Sequence, residues 1–251
     1  MNDKICEEID HTGGSIERCR FKQCLRNSEN PTVSVCYYEN LKYKLSPIIF
    51  RRDNPERIKF VVISQEPGVS ARNEFDSNIE KMKNYWCDLL LKSEDKPKKS
   101  SPIYLMKEIF QNFDIYHDRV YWTHSLKCIP WKTDDQIQRD WIFCAPYCSE
   151  RLKEELDALP ENDLVIITVG AYALTLVLNI VEGGSLCEPL KLKEYIVSDK
   201  IPIIKEIPHH PSDNKPKKRV KIFPFYHPAA YGLPHEYQFI KEKMINTLKA
   251  E

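Results

Sequence analysis

Hydrophobic positions along this chain fall into two kinds of run. Four short stretches are apolar with almost no alternation: "KFVVIS" (59–64), "RVYWTH" (119–124), "LVIITV" (164–169) and "RVKIFPF" (219–225). A strand buried on both faces reads this way, and such strands belong to parallel sheets. Between them the apolar residues take up helical spacing: Ile79, Met82, Trp86 and Leu89; Leu105, Ile109 and Phe113; Trp141, Cys144, Cys148 and Leu152; and finally Phe239, Met244 and Leu248. Strands that alternate with helices imply crossover connections. The expected fold is therefore a three-layer α/β/α domain around a central four-stranded, mainly parallel sheet. We read residues 1–251 as a single domain, with 1–50 an irregular, Cys-bearing N-terminal segment and 185–215 an insertion before the last strand.

Open parallel sheets bind ligands beyond the carboxyl ends of their strands, so the residues that follow each run carry the functional information. They are Gln65-Glu66-Pro67-Gly68, then His124-Ser125-Leu126-Lys127-Cys128, then Gly170-Ala171-Tyr172-Ala173, and last Tyr226-His227-Pro228-Ala229-Ala230-Tyr231. No Walker A sequence and no GxGxxG follows any strand, which counts against nucleotide-binding α/β enzymes.

Composition alters this picture only locally. Lys plus Arg and Asp plus Glu each number 37, so whole-chain charge does not point to nucleic acid. The basic runs "KPKK" (96–99) and "KPKKR" (215–219) do, if read as loops that touch phosphates rather than as solvated loop tips. No stretch reaches the ~18 apolar residues of a membrane span, and the N-terminus lacks the apolar core of a signal peptide. The expectation is a cytoplasmic (or nuclear) protein, monomeric and without membrane contact. Nine cysteines in a reducing compartment argue for metal ligation or buried thiols over a disulfide framework.

Taken in order, the four strand ends resemble those of the uracil-DNA glycosylase superfamily. "SQEPG" is similar to its first motif, Gly-Gln-Asp-Pro-Tyr or Gly-Glu-Ala-Pro-Gly. "VYWTHSLKCIP" is similar to the Tyr-Ile-Thr-Asn-x-x-Lys-Cys-x-Pro segment of its iron–sulfur branch. "VIITVGAYAL" resembles the Leu-Gly-x-x-Ala turn, and "FYHPAAY" the His-Pro-Ser motif. The resemblance spans residues 59–232.

It implies a DNA glycosylase that flips out a base and hydrolyses its glycosidic bond, with DNA as the partner. Glu66 and Gln65 would occupy the catalytic first motif, Glu66 to orient water and stabilise the sugar cation. His227 would donate to the departing base. Pro67, Gly68, Gly170 and Pro228 would shape the DNA-facing loops, Phe75 would stack on the base, and Tyr231 or Leu233 would wedge the duplex. Cys19, Cys24, Cys128 and Cys144 would hold a [4Fe–4S] cluster, with zinc the alternative; Cys148 could replace Cys144, and Cys36 could replace Cys24. His124 stands where the family usually carries the Asn that reads uracil. That leaves open a different damaged or modified pyrimidine, including a modified cytosine of viral DNA in a defence role. A non-catalytic reader of modified DNA and an enzyme of free nucleosides are the rival classes.

Overall fold

The structure is a computed structural model that describes residues 48–49, 58–65, 120–125, 161–184, 189–196, 201–208, 217–227 and 234–249, with 145, 148–150, 152–153, 155–157 and 159. In chain order the elements are β1 (Ile48–Ile49), β2 (Phe60–Ser64), β3 (Val120–His124), β4 (Asp163–Val169), α1 (Ala171–Glu182), α2 (Leu192–Ile196), β5 (Ile203–Ile207), β6 (Lys218–Phe225) and α3 (Pro234–Lys249). Helical turns also occur within 145–157, between β3 and β4.

One six-stranded sheet runs β1-β3-β2-β4-β6-β5. Its four central strands are the four apolar runs, and they pair in parallel. Val61, Val62, Ile63, Ile166, Ile167, Ile222 and Phe223 are fully buried, as their lack of alternation requires when helices cover the sheet. The three-layer α/β/α arrangement is thus present.

Two antiparallel edge strands widen the expected four to six. β1 pairs with β3, and β5 pairs with β6. β5 lies within the segment read as an insertion. Its sequence, IIKEI, has two charges in five positions and an alternating half-exposed pattern, so it does not resemble the fully buried runs. The prolines at 202 and 208 that bracket it are the signal for an edge strand.

Pro224 sits inside β6, where a missing N–H would normally break a ladder. Neighbouring Phe225 directs its carbonyl toward β4, accepting from Gly170 N–H at 2.8 Å. Pro224 therefore faces the β5 side, and β5 pairing ends at Ile203 opposite Ile222. No ladder bond is lost.

The helical patterns at 79–89 and 105–113, with Trp141 and Cys144, lie outside the described residues; the others can be compared. Ala145, Cys148, Leu152 and Leu156 are buried along one helical stripe, and Thr123 Oγ1 donates to the buried Glu155 Oε2 at 2.9 Å, which ties that helix to β3. In α3 Met244 is buried and Leu248 packs against the core as expected, but Ile240 rather than Phe239 completes the stripe, and Phe239 is exposed with Lys243 Nζ 5.6 Å from its ring centre. Ile240, Met244 and Leu248 are spaced i, i+4, i+8, whereas Phe239 is followed at that spacing by Lys243 and Thr247.

The basic run at 215–219 also reads differently. Lys218 opens β6 and is buried, and its Nζ donates to Leu156 O at 2.6 Å, Asp157 O at 3.1 Å and Leu159 O. It satisfies carbonyls that the end of the preceding helix leaves without intrahelical partners, and its charge complements the negative end of the helix dipole. Lys217 is exposed and pairs with Glu206 at 3.2 Å. Lys217 and Lys218 lie at the amino end of β6, about 23 Å of strand away from Phe225. "KPKK" at 96–99 lies outside the described residues.

Replacing Lys218 by Met strands buried carbonyls and should lower unfolding stability by about 2–4 kcal/mol. Urea denaturation measures this; a loss below about 0.5 kcal/mol, the range of ordinary surface changes, would show that those carbonyls find other partners.

Candidate active site

Strand register brings the four motifs to one level. Ser64 is opposite both His124 and Val169, and Val169 is opposite Phe225. The chain leaves β2 for β3 on one side, then returns past β2 to β4 on the other. The switch point of this topology lies between the carboxyl ends of β2 and β4, where a crevice opens in doubly wound sheets. Gln65 leaves β2 at that crevice and Gly170 leaves β4.

Gly170 adopts φ 98°, ψ 162°, a region that is essentially restricted to glycine. Its lack of a side chain also has a spatial reason. A Cβ there would lie 3.3 Å from Gln65 Oε1 and 3.8 Å from His227 Cβ. The Gln65 amide, the Gly170 backbone and His227 thus form one cluster, drawn from the carboxyl ends of three strands that are distant in sequence. Gly170 N–H bonds Phe225 O at 2.8 Å and fixes β4 to β6 just before His227.

α1 starts immediately after Gly170 with no acidic residue in its first turn. The positive end of its dipole therefore favours an anionic group at the crevice. At its other end Gly183, in the left-handed conformation at φ 63°, closes the helix by donating to Asn179 O.

His227 is half-buried, and burial lowers its pKa from the ordinary 6.5. It is neutral at pH 7 and presents one N–H donor and one acceptor. Its folded value lies below the unfolded one, so this group withdraws stability as the pH falls below about 6.5, where the unfolded chain takes up the proton first.

His124 ends β3 at the same level as Ser64, half-buried. Three strand spacings, about 14 Å, separate it from Phe225, so the two histidines flank the row from opposite sides. Between them the exit of β2 is held from β3: Trp122 Nε1 donates to Ser64 Oγ at 2.9 Å, Ser125 N–H to Ser64 O at 2.7 Å and Ser125 Oγ to Gln65 O at 2.5 Å. Neither Trp122 nor Ser125 had a role in the sequence reading.

At the carboxyl ends of β2, β4 and β6, then, the Gln65 amide and the Cβ of a half-buried histidine lie against the Gly170 backbone, and Gln65 is followed in sequence by a carboxylate. A family comparison decides what this arrangement belongs to: the chain matches the model of the uracil DNA glycosylase superfamily over residues 50–249. The chain belongs to that superfamily. Its members are usually DNA glycosylases, hydrolases of DNA repair, which implies DNA as the substrate. No curated protein matches it.

Of the sequence-predicted site residues in this superfamily member, Gln65, Gly170 and His227 come together and His124 joins them at the same sheet end. Glu66, Pro67, Gly68, Phe75, Pro228, Tyr231 and Leu233 lie outside the described residues, as do Cys19, Cys24, Cys128 and Cys144. Cys148 is described, and it is a buried thiol of the hydrophobic core, outside any disulfide. Among the described residues there is no group of three or more metal-ligating side chains, and no helix is long and apolar enough to cross a membrane.

Gly170→Ala should destabilise the protein by about 1–3 kcal/mol and displace the Gln65 amide. Denaturant midpoints and a crystal structure of the variant check both outcomes. An unchanged midpoint would show that this backbone conformation is not needed.

Proposed function

We propose that this chain is a monofunctional DNA glycosylase that flips out uracil or another damaged or modified pyrimidine and hydrolyses its glycosidic bond. The observation that carries this reading is the convergence of Gln65, Gly170 and His227 at the switch point. In the proposed reaction the C1′–N bond breaks with its electron pair leaving on the base, and water adds to C1′. Glu66, next to Gln65, orients that water, accepts its proton and stabilises the positive sugar. His227 donates from a neutral imidazole to the base oxygen on which negative charge develops; a donor already in place costs no reorganisation. Pro67, Gly68 and Pro228 stiffen the loops, Phe75 stacks on the flipped base, and Tyr231 or Leu233 fills the gap it leaves.

A second reading concerns the substrate. His124 ends β3 where the family usually has the uracil-reading Asn. An amide offers a donor and an acceptor together, whereas each imidazole nitrogen offers one or the other. That favours a base edge other than plain uracil, with a modified cytosine of viral DNA as the defence-related case. A purely non-catalytic reader is disfavoured because both Glu66 and His227 are retained.

The test is release of free base from duplexes that carry uracil or modified pyrimidines, at one salt concentration. Glu66→Gln and His227→Ala should each slow release by about 10²–10⁴-fold, or about 3–5 kcal/mol, with DNA binding retained. Near-normal turnover in either variant removes that residue from the mechanism.

For the cofactor, we propose that Cys19, Cys24, Cys128 and Cys144 hold a [4Fe–4S] cluster, as in the superfamily's iron–sulfur branch. Four thiolates suit that group, and zinc is the alternative. Cys148 packs in the apolar core, which favours Cys144 over it as a ligand. When bound, the cluster would anchor the N-terminal segment. Purified protein should contain about four iron and four acid-labile sulfide per chain, and Cys128→Ser should lose both and lower the melting temperature. Stoichiometric zinc would replace the cluster but keep the site; no metal at all would overturn it.

A further inference from the structure

We infer that Ser125 is a positioning residue that sets where the chain turns out of β2 into the catalytic step Gln65–Glu66, an assignment that rests on the glycosylase reading. Along β2 the peptide groups alternate in direction. Lys59 O accepts from Val165 N at 2.9 Å on the β4 side, and Ser64 O accepts from Ser125 N at 2.7 Å on the β3 side. By that alternation the next carbonyl, that of Gln65, would face β4. It does not: it accepts from Ser125 Oγ at 2.5 Å, on the β3 side. Gln65 is also where the strand gives way to a bend.

One fully buried residue therefore holds two successive carbonyls of β2, first with its backbone and then with its hydroxyl. Without the hydroxyl, the Gln65 carbonyl loses its partner in an interior where an unmade bond is costly. Its natural alternative is to continue the ladder toward β4. That side is where the Gln65 amide approaches Gly170, and where Gly170 N–H has already turned to Phe225 O. The hydroxyl thus takes the β2 exit out of the ladder, leaves the crevice between β2 and β4 open, and fixes the point from which the chain proceeds to Glu66. Ser125 need not touch the substrate to do this. It acts through the placement of its neighbours, and sub-ångström to ångström placement is worth up to about 10²-fold in rate.

The experiment compares wild type, Ser125→Ala and Ser125→Thr on the duplex that wild type cleaves best, by single-turnover base release, duplex binding and hydrogen exchange of the peptide spanning 60–70. Ser125→Ala should slow base release by about 10–100-fold, bind duplex within about threefold of wild type, and speed exchange in that peptide alone. Ser125→Thr, which restores the hydroxyl, should recover the rate to within about threefold. Wild-type-like release by Ser125→Ala would overturn the assignment alone. So would a parallel loss of rate, binding and melting temperature that Ser125→Thr does not recover, which is the signature of a merely structural residue. A wild type inactive on every duplex, with Glu66→Gln and His227→Ala no different from it, would overturn the glycosylase reading and this assignment together.

Discussion

Hydrogen-bonded register between parallel strands is the constraint on which everything else in this protein rests. Once Ser64 pairs with both His124 and Val169, and Val169 with Phe225, the four strand ends cannot be at different heights. Residues from positions 65, 124, 170 and 227 then share one rim. Strand ends in a buried sheet must also settle their peptide groups. Three such groups here have partners at a neighbouring strand end: the Ser64 and Gln65 carbonyls at Ser125, and the Gly170 N–H at Phe225. The backbone that shapes the site is held by the same bonds that finish the sheet.

The opposite end of the sheet solves a different problem with a charge. The helix before β4 ends in the interior, and Lys218 supplies the donors that water would otherwise provide. An ammonium at that place is stabilised by backbone carbonyls and by the helix dipole. Conformational demands are thus kept apart: the amino end of β6 secures a helix, and the carboxyl end presents His227.

The central fold was legible because each of the four strands is a short apolar run bounded by polar residues, and only a doubly covered sheet accommodates such runs. Gln65, Gly170 and His227 were legible through strand-end logic and the resemblance of their neighbours to one family. What escaped notice did so for identifiable reasons. β5 carries Lys205 and Glu206, and an edge strand shares its pattern with a loop. Phe239 adjoins Ile240, and of the two only Ile240 is spaced i, i+4, i+8 with Met244 and Leu248. Lys218 stands among four other charged or proline positions and looks solvated, although its partners lie some sixty residues earlier. Ser125 shows no pattern at all, since the carbonyl it holds belongs to another strand.

The proline in β6 has an architectural consequence. At mid-height the sheet is six strands wide; among the described residues β1 pairs with Tyr121 and Trp122 of β3, and β5 stops opposite Ile222. Among the described residues the ladder is four strands wide at the level of His124 and Phe225, and Pro224 offers no N–H with which a lengthened β5 could be zipped further. The sheet tapers toward the rim that carries the histidines. On the β5 side that taper is written into the chain by a single imino acid.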